Sequence, residues 1–225
     1  MINNSGITGE MIMLKGAIFD MDGLLFDTER LYRDMWGVLA KEYGQIPDPE
    51  FPKAVCGSNG EHMRDIIRHY YPDVNPARFQ QDCIDRVAEQ LEHEVPLKPG
   101  LFEVLDTVRK NGLRIAVASS SPMQTIQKNL QNAAVASYFD AVVSGTEVPA
   151  GKPAPDIFQI AAAKLGLDPT DCYVFEDSTN GIRAGAAAGC TTIMIPDLTE
   201  PTDELRALCA GVYPSLSAAA RTLFS

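Results

Sequence analysis

Positive charge is in short supply: the 225 residues carry 30 Asp and Glu against 19 Lys and Arg, a formal net charge of −11. A chain without a basic surplus has no footprint for nucleic acid or an anionic membrane surface. An anionic small molecule is not excluded, because a bound metal ion inverts the local field. Histidine is scarce too, and His62, His69 and His93 have no Cys or His partner at zinc spacing. The five cysteines, Cys56, Cys83, Cys172, Cys190 and Cys209, form no CxxC pair. That pattern argues against a disulfide framework and for reduced thiols in a cytoplasmic protein. No apolar run approaches the ~20 residues of a membrane span. The opening "MINNSGITGEMIM" lacks a basic stretch followed by a continuous apolar one, so residues 1–13 read as a flexible leader rather than a secretory signal. Internal repeats and low-complexity tracts are absent as well.

What is present is an alternation of short apolar runs and helical patterns. "KGAIFD" (15–20) reads as a buried strand. From Thr28 to about Gly44, Leu31, Met35, Val38, Leu39 and Tyr43 share one helical face, with Thr28 as a candidate N-cap. Pro47, Pro49 and Pro52 then break the chain, and two further helical runs follow at about 61–70 and beyond Asn75-Pro76. No strand pattern occurs between Thr28 and Pro96, so 28–96 is expected to be a helical insert. After Gly100 a helix near 101–110 precedes "LRIAVAS" (113–119), and Ser121-Pro122 opens the next helix with Ser as cap. Strands "AVVSG" (141–145), "CYVFED" (172–177) and "TTIMIP" (191–196) follow, separated by helices near 155 and 179–188, with helices at 203–210 and 216–223 closing the chain. Continuously apolar strands alternating with helices indicate an α/β fold, a doubly wound parallel sheet covered on both faces.

In such sheets ligands bind beyond the carboxyl ends of the strands. The first strand delivers Asp20 and Asp22 there, the second Ser119, the loop after the third Lys152, and the fourth Glu176 and Asp177. Four carboxylates together repel one another unless a cation sits among them. Mg²⁺ suits such oxygen donors and usually keeps waters and a substrate phosphate in its shell. Lys152 and Ser119 add a positive charge and a hydrogen-bond donor for an anion. The set fits phosphoryl transfer, in which positioning and charge neutralisation do most of the catalysis. One carboxylate can attack as nucleophile, and the other can move the proton of the leaving oxygen and of water.

These stretches carry a resemblance. "FDMDGLLFDTE", "VASSS", "GKPAPDIF" and "VFEDSTNGIRAGAAAG" resemble, in order, the four signatures of the haloacid dehalogenase (HAD) superfamily. The subgroup it most resembles contains β-phosphoglucomutase and sugar-phosphate phosphatases. The resemblance implies a Rossmann-like core over 1–27 and 97–225 with an inserted α-helical cap over 28–96. It implies Asp20 as the nucleophile and Asp22 as the acid/base group, its backbone carbonyl also a metal ligand. Asp177 would bind Mg²⁺, with Glu176 a ligand directly or through water. Gly23, Ser119, Ser120 and Lys152 would hold the phosphoryl group.

The expected activity is therefore a Mg²⁺-dependent phosphatase, working through an aspartyl-phosphate on a small, sugar-like phosphorylated metabolite, in a cytoplasmic monomer. The alternative is a β-phosphoglucomutase-type mutase. Against it stands "VCGSNGEHM" (55–63), which has no Lys or Arg beside its glycine where those mutases grip a second phosphate. Tyr32 also stands where they carry histidine. A non-catalytic receiver-like phospho-acceptor would lack a helical insert of this size. Tyr32, Lys53, Asn59 and His62 are candidates for the substrate-facing surface of the cap. Asp27 and Ser121 read as helix caps, and Trp36 as core.

Overall fold

The computed structural model describes residues 14–55, 58, 60–198 and 200–224; the expected leader, Cys56 and the substrate candidate Asn59 lie outside them. The first strand, β1 (Gly16–Phe19), is buried along its whole length. Four helices follow before the next strand: α1 (Thr28–Glu42), α2 (Phe51–Val55), α3 (Gly60–Tyr70) and α4 (Pro76–His93). The rest alternates: α5 (Leu101–Lys110), β2 (Arg114–Ser119), α6 (Met123–Asn132), β3 (Ala141–Ser144), α7 (Asp156–Lys164), β4 (Cys172–Glu176), α8 (Thr179–Ala188) and β5 (Thr191–Met194). The chain then adds α9 (Asp203–Leu208), β6 (Gly211–Val212) and α10 (Leu216–Leu223).

All strands are parallel, in the order β3-β2-β1-β4-β5-β6. Side chains alternate between the two faces of the sheet, and both faces are dry. Ala17, Phe19, Ile115, Val117 and Phe175 join α5 and α10 in one cluster, whereas Ile18, Ala116, Ala118 and Val174 join α7 and α8 in another. Phe19 and Phe175 stack with ring centroids 4.6 Å apart across β1 and β4. This two-sided burial is why the strands read as unbroken apolar runs.

The helical insert has its own aromatic centre. Trp36 lies 5.5 Å from the rings of both Phe51 and Phe79, and Tyr71 is 4.8 Å from Phe51. Trp36 is thus core, as its pattern indicates. The two chain crossings between insert and sheet pair with each other. Phe26 and Leu97 form an antiparallel bridge, the Asp27 N–H donates to Pro96 O (2.8 Å), and the Lys98 N–H to Leu25 O (2.9 Å). The far end of α4 rests on α6, where Asn132 Nδ2 donates to Leu91 O at 3.0 Å and Lys128 pairs with Glu92.

Several local expectations need correction. The prolines do not simply break the chain: Pro52 sits in the first turn of α2, where a missing N–H leaves no helical bond unmade. The segment 203–210 is not wholly helical, since α9 stops at Leu208 and β6 adds a sixth strand at the edge. Two residues are too few to show a period. The N-cap of α1 is Asp27 rather than Thr28, and it makes no side-chain capping bond. Asp27 instead meets Arg30 at 3.1 Å and Lys98 at 3.7 Å. Ser121 does not cap α6, whose N-cap is Pro122.

Candidate active site

The chain order runs outward from β1 to β2 and β3, then returns to the other side of β1 with β4, so the topological switch lies at β1 and β4. A crevice at the carboxyl ends of strands flanking such a reversal is the usual ligand site. Asp20 extends the β1–β4 ladder by donating its N–H to Phe175 O at 3.0 Å, which aims the next residues into that crevice. The loop is then fixed from below. Met21, Leu24, Leu25 and Phe26 are fully buried, and the N–H groups of Leu25 and Phe26 both donate to Met21 O. Apolar residues plug this turn into the core, so its polar residues have only one way to face.

Lys152 is the hub of one half of the site. Its ammonium donates to Asp20 Oδ1 (2.5 Å), Glu176 Oε1 (2.7 Å) and Ala118 O (3.3 Å), with its side chain 6% exposed. The other oxygen of Glu176 accepts from the N–H groups of Asp177 and Ser178 (both 2.9 Å) and from Ser178 Oγ (3.0 Å). This carboxylate fills the space at the start of α8 so fully that a Cβ on Gly181 would lie 1.7 Å from its Oε1. Both oxygens of Glu176 are therefore committed to protein donors.

Asp22 faces hydroxyls. Its Oδ2 accepts from Ser119 Oγ (3.1 Å) and Ser121 Oγ (2.9 Å), and its Oδ1 from Thr28 Oγ1 (2.9 Å). Thr28 and Ser121 are the residues that sequence reasoning assigned to capping and that the fold brings to the site instead. Both sit beside the quoted signatures, but hydroxyls at helix starts are common caps, and nothing in their spacing distinguishes the two roles.

Asp177 is buried, and its Oδ1 has no hydrogen-bond partner. Gly23 closes over it: its φ is +86°, and a Cβ there would lie 2.5 Å from Asp177 Oδ2. Burial holds the Asp177 carboxyl well above the usual carboxylate range, and the charges of Glu176 and Asp20 push it the same way. Burial likewise pushes Asp20 up to about 8, against the pull of Lys152, with Glu176 and Asp22 adding to the rise. For Lys152 burial works against the charge, but Asp20 and Glu176 outweigh it and hold the ammonium above its ordinary value. The cluster carries more carboxylate than one ammonium balances.

This imbalance is what a divalent cation would relieve, and the orphaned Asp177 oxygen is a hard donor of the kind Mg²⁺ takes. Among the described residues no three His, Cys, Asp or Glu side chains form a metal cage by themselves. Free carboxylate oxygens are few: Asp177 Oδ1 has no partner and Asp20 meets Lys152 through Oδ1, so an ion here would draw on these two carboxylates, backbone oxygen, water and substrate.

The cap candidates are placed unevenly. Tyr32 lies one turn beyond Thr28 on the same face of α1 and is partly buried; burial and the charge of Asp22 raise its hydroxyl pKa. Lys53 is exposed on α2 and bonded to Glu50 at 2.9 Å, and His62 is exposed in the first turn of α3. Among the described residues, neither bonds to the carboxylate cluster. Ser120 is exposed between its two engaged neighbours.

A family model described as haloacid dehalogenase-like hydrolase matches residues 14–189. The chain belongs to this family, and within it is a phosphoric monoester hydrolase. Its relatives include a Drosophila melanogaster protein named "Probable pseudouridine-5'-phosphatase", 36% identical over 80% of this chain and 81% of that protein. Hexitol phosphatase B of Escherichia coli K12 is 34% identical over 80% of this chain and 82% of that protein. A HAD family hydrolase of Deinococcus radiodurans, solved with bound phosphate and sodium, superposes with a TM-score of 0.80 at 26% identity, covering 94% of this chain and 96% of that one.

Proposed function

We propose that the chain is a Mg²⁺-dependent phosphatase acting on a small sugar-like phosphate monoester, through a phosphorylated Asp20. The observation that carries this reading is the pairing of Lys152 with both Asp20 and Glu176 beside the unpartnered oxygen of Asp177. Asp20 is the nucleophile, held at its Oδ1 by Lys152. Asp22 gives a proton to the leaving oxygen and later takes one from the water that releases phosphate. Ser119, Ser120, Lys152 and the Gly23 loop cradle the phosphoryl group. Asp20, Asp177 and the backbone carbonyl of Asp22 would hold Mg²⁺, with Glu176 contributing through water because its oxygens already have donors. When bound, the ion neutralises charge on the phosphoryl oxygens.

The helical insert, over 28–96, is read as a cap that covers the site and selects the substrate, with the sheet and its helices (1–27, 97–225) as the catalytic core. Tyr32 is the cap residue best supported as substrate-facing. A sugar-like substrate is supported by the hexitol phosphatase likeness. Hydrolysis rather than mutase transfer is supported by the stretch 55–63, which holds no Lys or Arg beside its glycine to grip a second phosphate. A cytoplasmic monomer is part of this reading, and the free thiols of Cys83, Cys172, Cys190 and Cys209 fit a reducing compartment. No helix among the described residues is long and apolar enough to cross a membrane.

The test is phosphate release from p-nitrophenyl phosphate with Mg²⁺, its loss with EDTA, and its loss in Asp20→Asn. Full activity in Asp20→Asn overturns the assignment of the nucleophile. Isomerisation of β-glucose 1-phosphate with little net phosphate release would establish the mutase instead.

A further inference from the structure

We propose that Ser144, outside the four signatures, is a positioning residue for the proton chemistry of Asp22, acting through Ser121. The inference rests on the reading of Asp22 as the acid/base group. Ser144 ends β3 opposite Ser119 in the β2–β3 register and is completely buried. Its Oγ donates at 2.7 Å to Ser121 O, which can only accept, so Ser144 in turn accepts from Thr146, from its N–H at 3.2 Å and from its Oγ1 at 2.7 Å. The following residue brings the two loops into backbone contact: a Cβ on Gly145 would lie 2.9 Å from Ser120 Cα.

Ser121 hands this restraint on. Its N–H donates to Ser119 Oγ (3.1 Å) and its own hydroxyl to Asp22 Oδ2 (2.9 Å). The helix α6 begins only at Met123, so helical hydrogen bonding does not hold Ser121 in place. Ser144 holds it from the neighbouring strand. A local role as a turn cap accounts for the bond that Ser144 accepts from Thr146. It does not account for the proton that Ser144 sends across to Ser121, because that bond leaves its own turn.

The consequence falls on proton transfer. In the first chemical step Asp20 forms a bond to phosphorus, and the bond from phosphorus to the leaving oxygen breaks. That oxygen takes the electron pair and, as it leaves, the proton from Asp22. A p-nitrophenolate leaves with little need of that proton, whereas a phenolate needs it more.

The experiment compares kcat/KM for p-nitrophenyl phosphate and phenyl phosphate in wild type, Ser144→Ala, Ser121→Ala and the double variant, with Mg²⁺ present. Ser144→Ala is expected to lose about tenfold on phenyl phosphate and about twofold on the nitrophenyl ester, a small part of what a general acid supplies. Ser121→Ala should show the same asymmetry, and the double variant should lose no more than Ser121→Ala alone. Equal losses on the two esters, or additive losses in the double variant, overturn the proposal. Should Ser144→Ala fail to fold, Ser144→Cys stays close to the native shape, weakens both the bond donated to Ser121 O and the one accepted from the Thr146 N–H, and is read in the same way. Asp22→Asn separates the two layers. If it shows no dependence on the leaving group, the acid/base reading itself fails; if it does and Ser144→Ala does not, only the Ser144 link fails.

Discussion

Gly23 and Asp177 occupy the same space: the carboxylate oxygen of Asp177 lies where a side chain on residue 23 would begin, 2.5 Å from the Cβ position. The backbone at Gly23 is also left-handed, at φ +86°. Gly23→Ala therefore meets strain and collision together. We expect a loss of about 1–3 kcal/mol in folding stability and near-complete loss of phosphatase activity. Urea unfolding and p-nitrophenyl phosphate turnover check this; an active, fully stable variant contradicts it.

Lys152 is the counter-charge of the buried Glu176 carboxylate and the donor to Asp20. Replacing it with Met strips Glu176 of its cation and Asp20 of its donor, and removing one partner of a buried pair costs about 3–5 kcal/mol. Activity should vanish with it. Wild-type stability in Lys152→Met would mean that the pair contributes nothing to the fold.

Stability without metal should depend on pH. The Asp20 carboxyl, ordinarily near 3.8, is pushed up to about 8 by burial. The folded chain then holds this proton more tightly than the unfolded one does. The stabilisation is full below about pH 4 and is lost as pH rises through about 8. In EDTA the urea midpoint should fall across that window, and Mg²⁺ should flatten the fall, because the ion replaces the proton as counter-charge. An identical slope with and without Mg²⁺ would contradict the assignment of Asp20 to the ion.

The ammonium of Lys98 ties the crossing between insert and core to the loop that follows β5. It bonds Asp197 Oδ1 at 2.7 Å and lies 3.7 Å from Asp27 Oδ1. One further oxygen of Asp197, Oδ2, is buried without a partner, so the cation has little surplus to share. Lys98→Met should cost about 1–3 kcal/mol by leaving Asp197 unpaired. Amide exchange at residues 25–27 and 96–98 should rise with it. Unchanged exchange there would show that the backbone pairing alone holds the crossing.

The layout of this molecule was readable in its sequence wherever burial is two-sided and long. Ala17–Phe19, Ile115–Ala118 and Val174–Phe175 are apolar on both faces, so they could only be interior strands. The absence of strand patterning between Thr28 and Pro96 marked the helical insert equally well. The two-residue β6 was not readable, because a strand that short leaves no periodicity. Pro52 misled because a proline that ends one helix is acceptable at the start of another. In the site, the strand-end acids and Lys152 were legible as a set because each ends a recognisable strand or loop. Thr28 and Ser121 were not, because a hydroxyl near a helix start has a common structural use.

By itself the sequence determined which chemical groups arrive at the carboxyl edge of the sheet and in what order, since strand patterning decides where each segment ends. Only the tertiary structure decided how those groups divide. Lys152 goes to Asp20 and Glu176, the hydroxyls of Thr28, Ser119 and Ser121 go to Asp22, and one oxygen of Asp177 is left over. The partners lie as far as 132 positions apart in the chain. Hydrogen bonds form over a few tenths of an ångström and within a narrow range of angles, so the pairing follows from strand register and loop packing rather than from the order of residues.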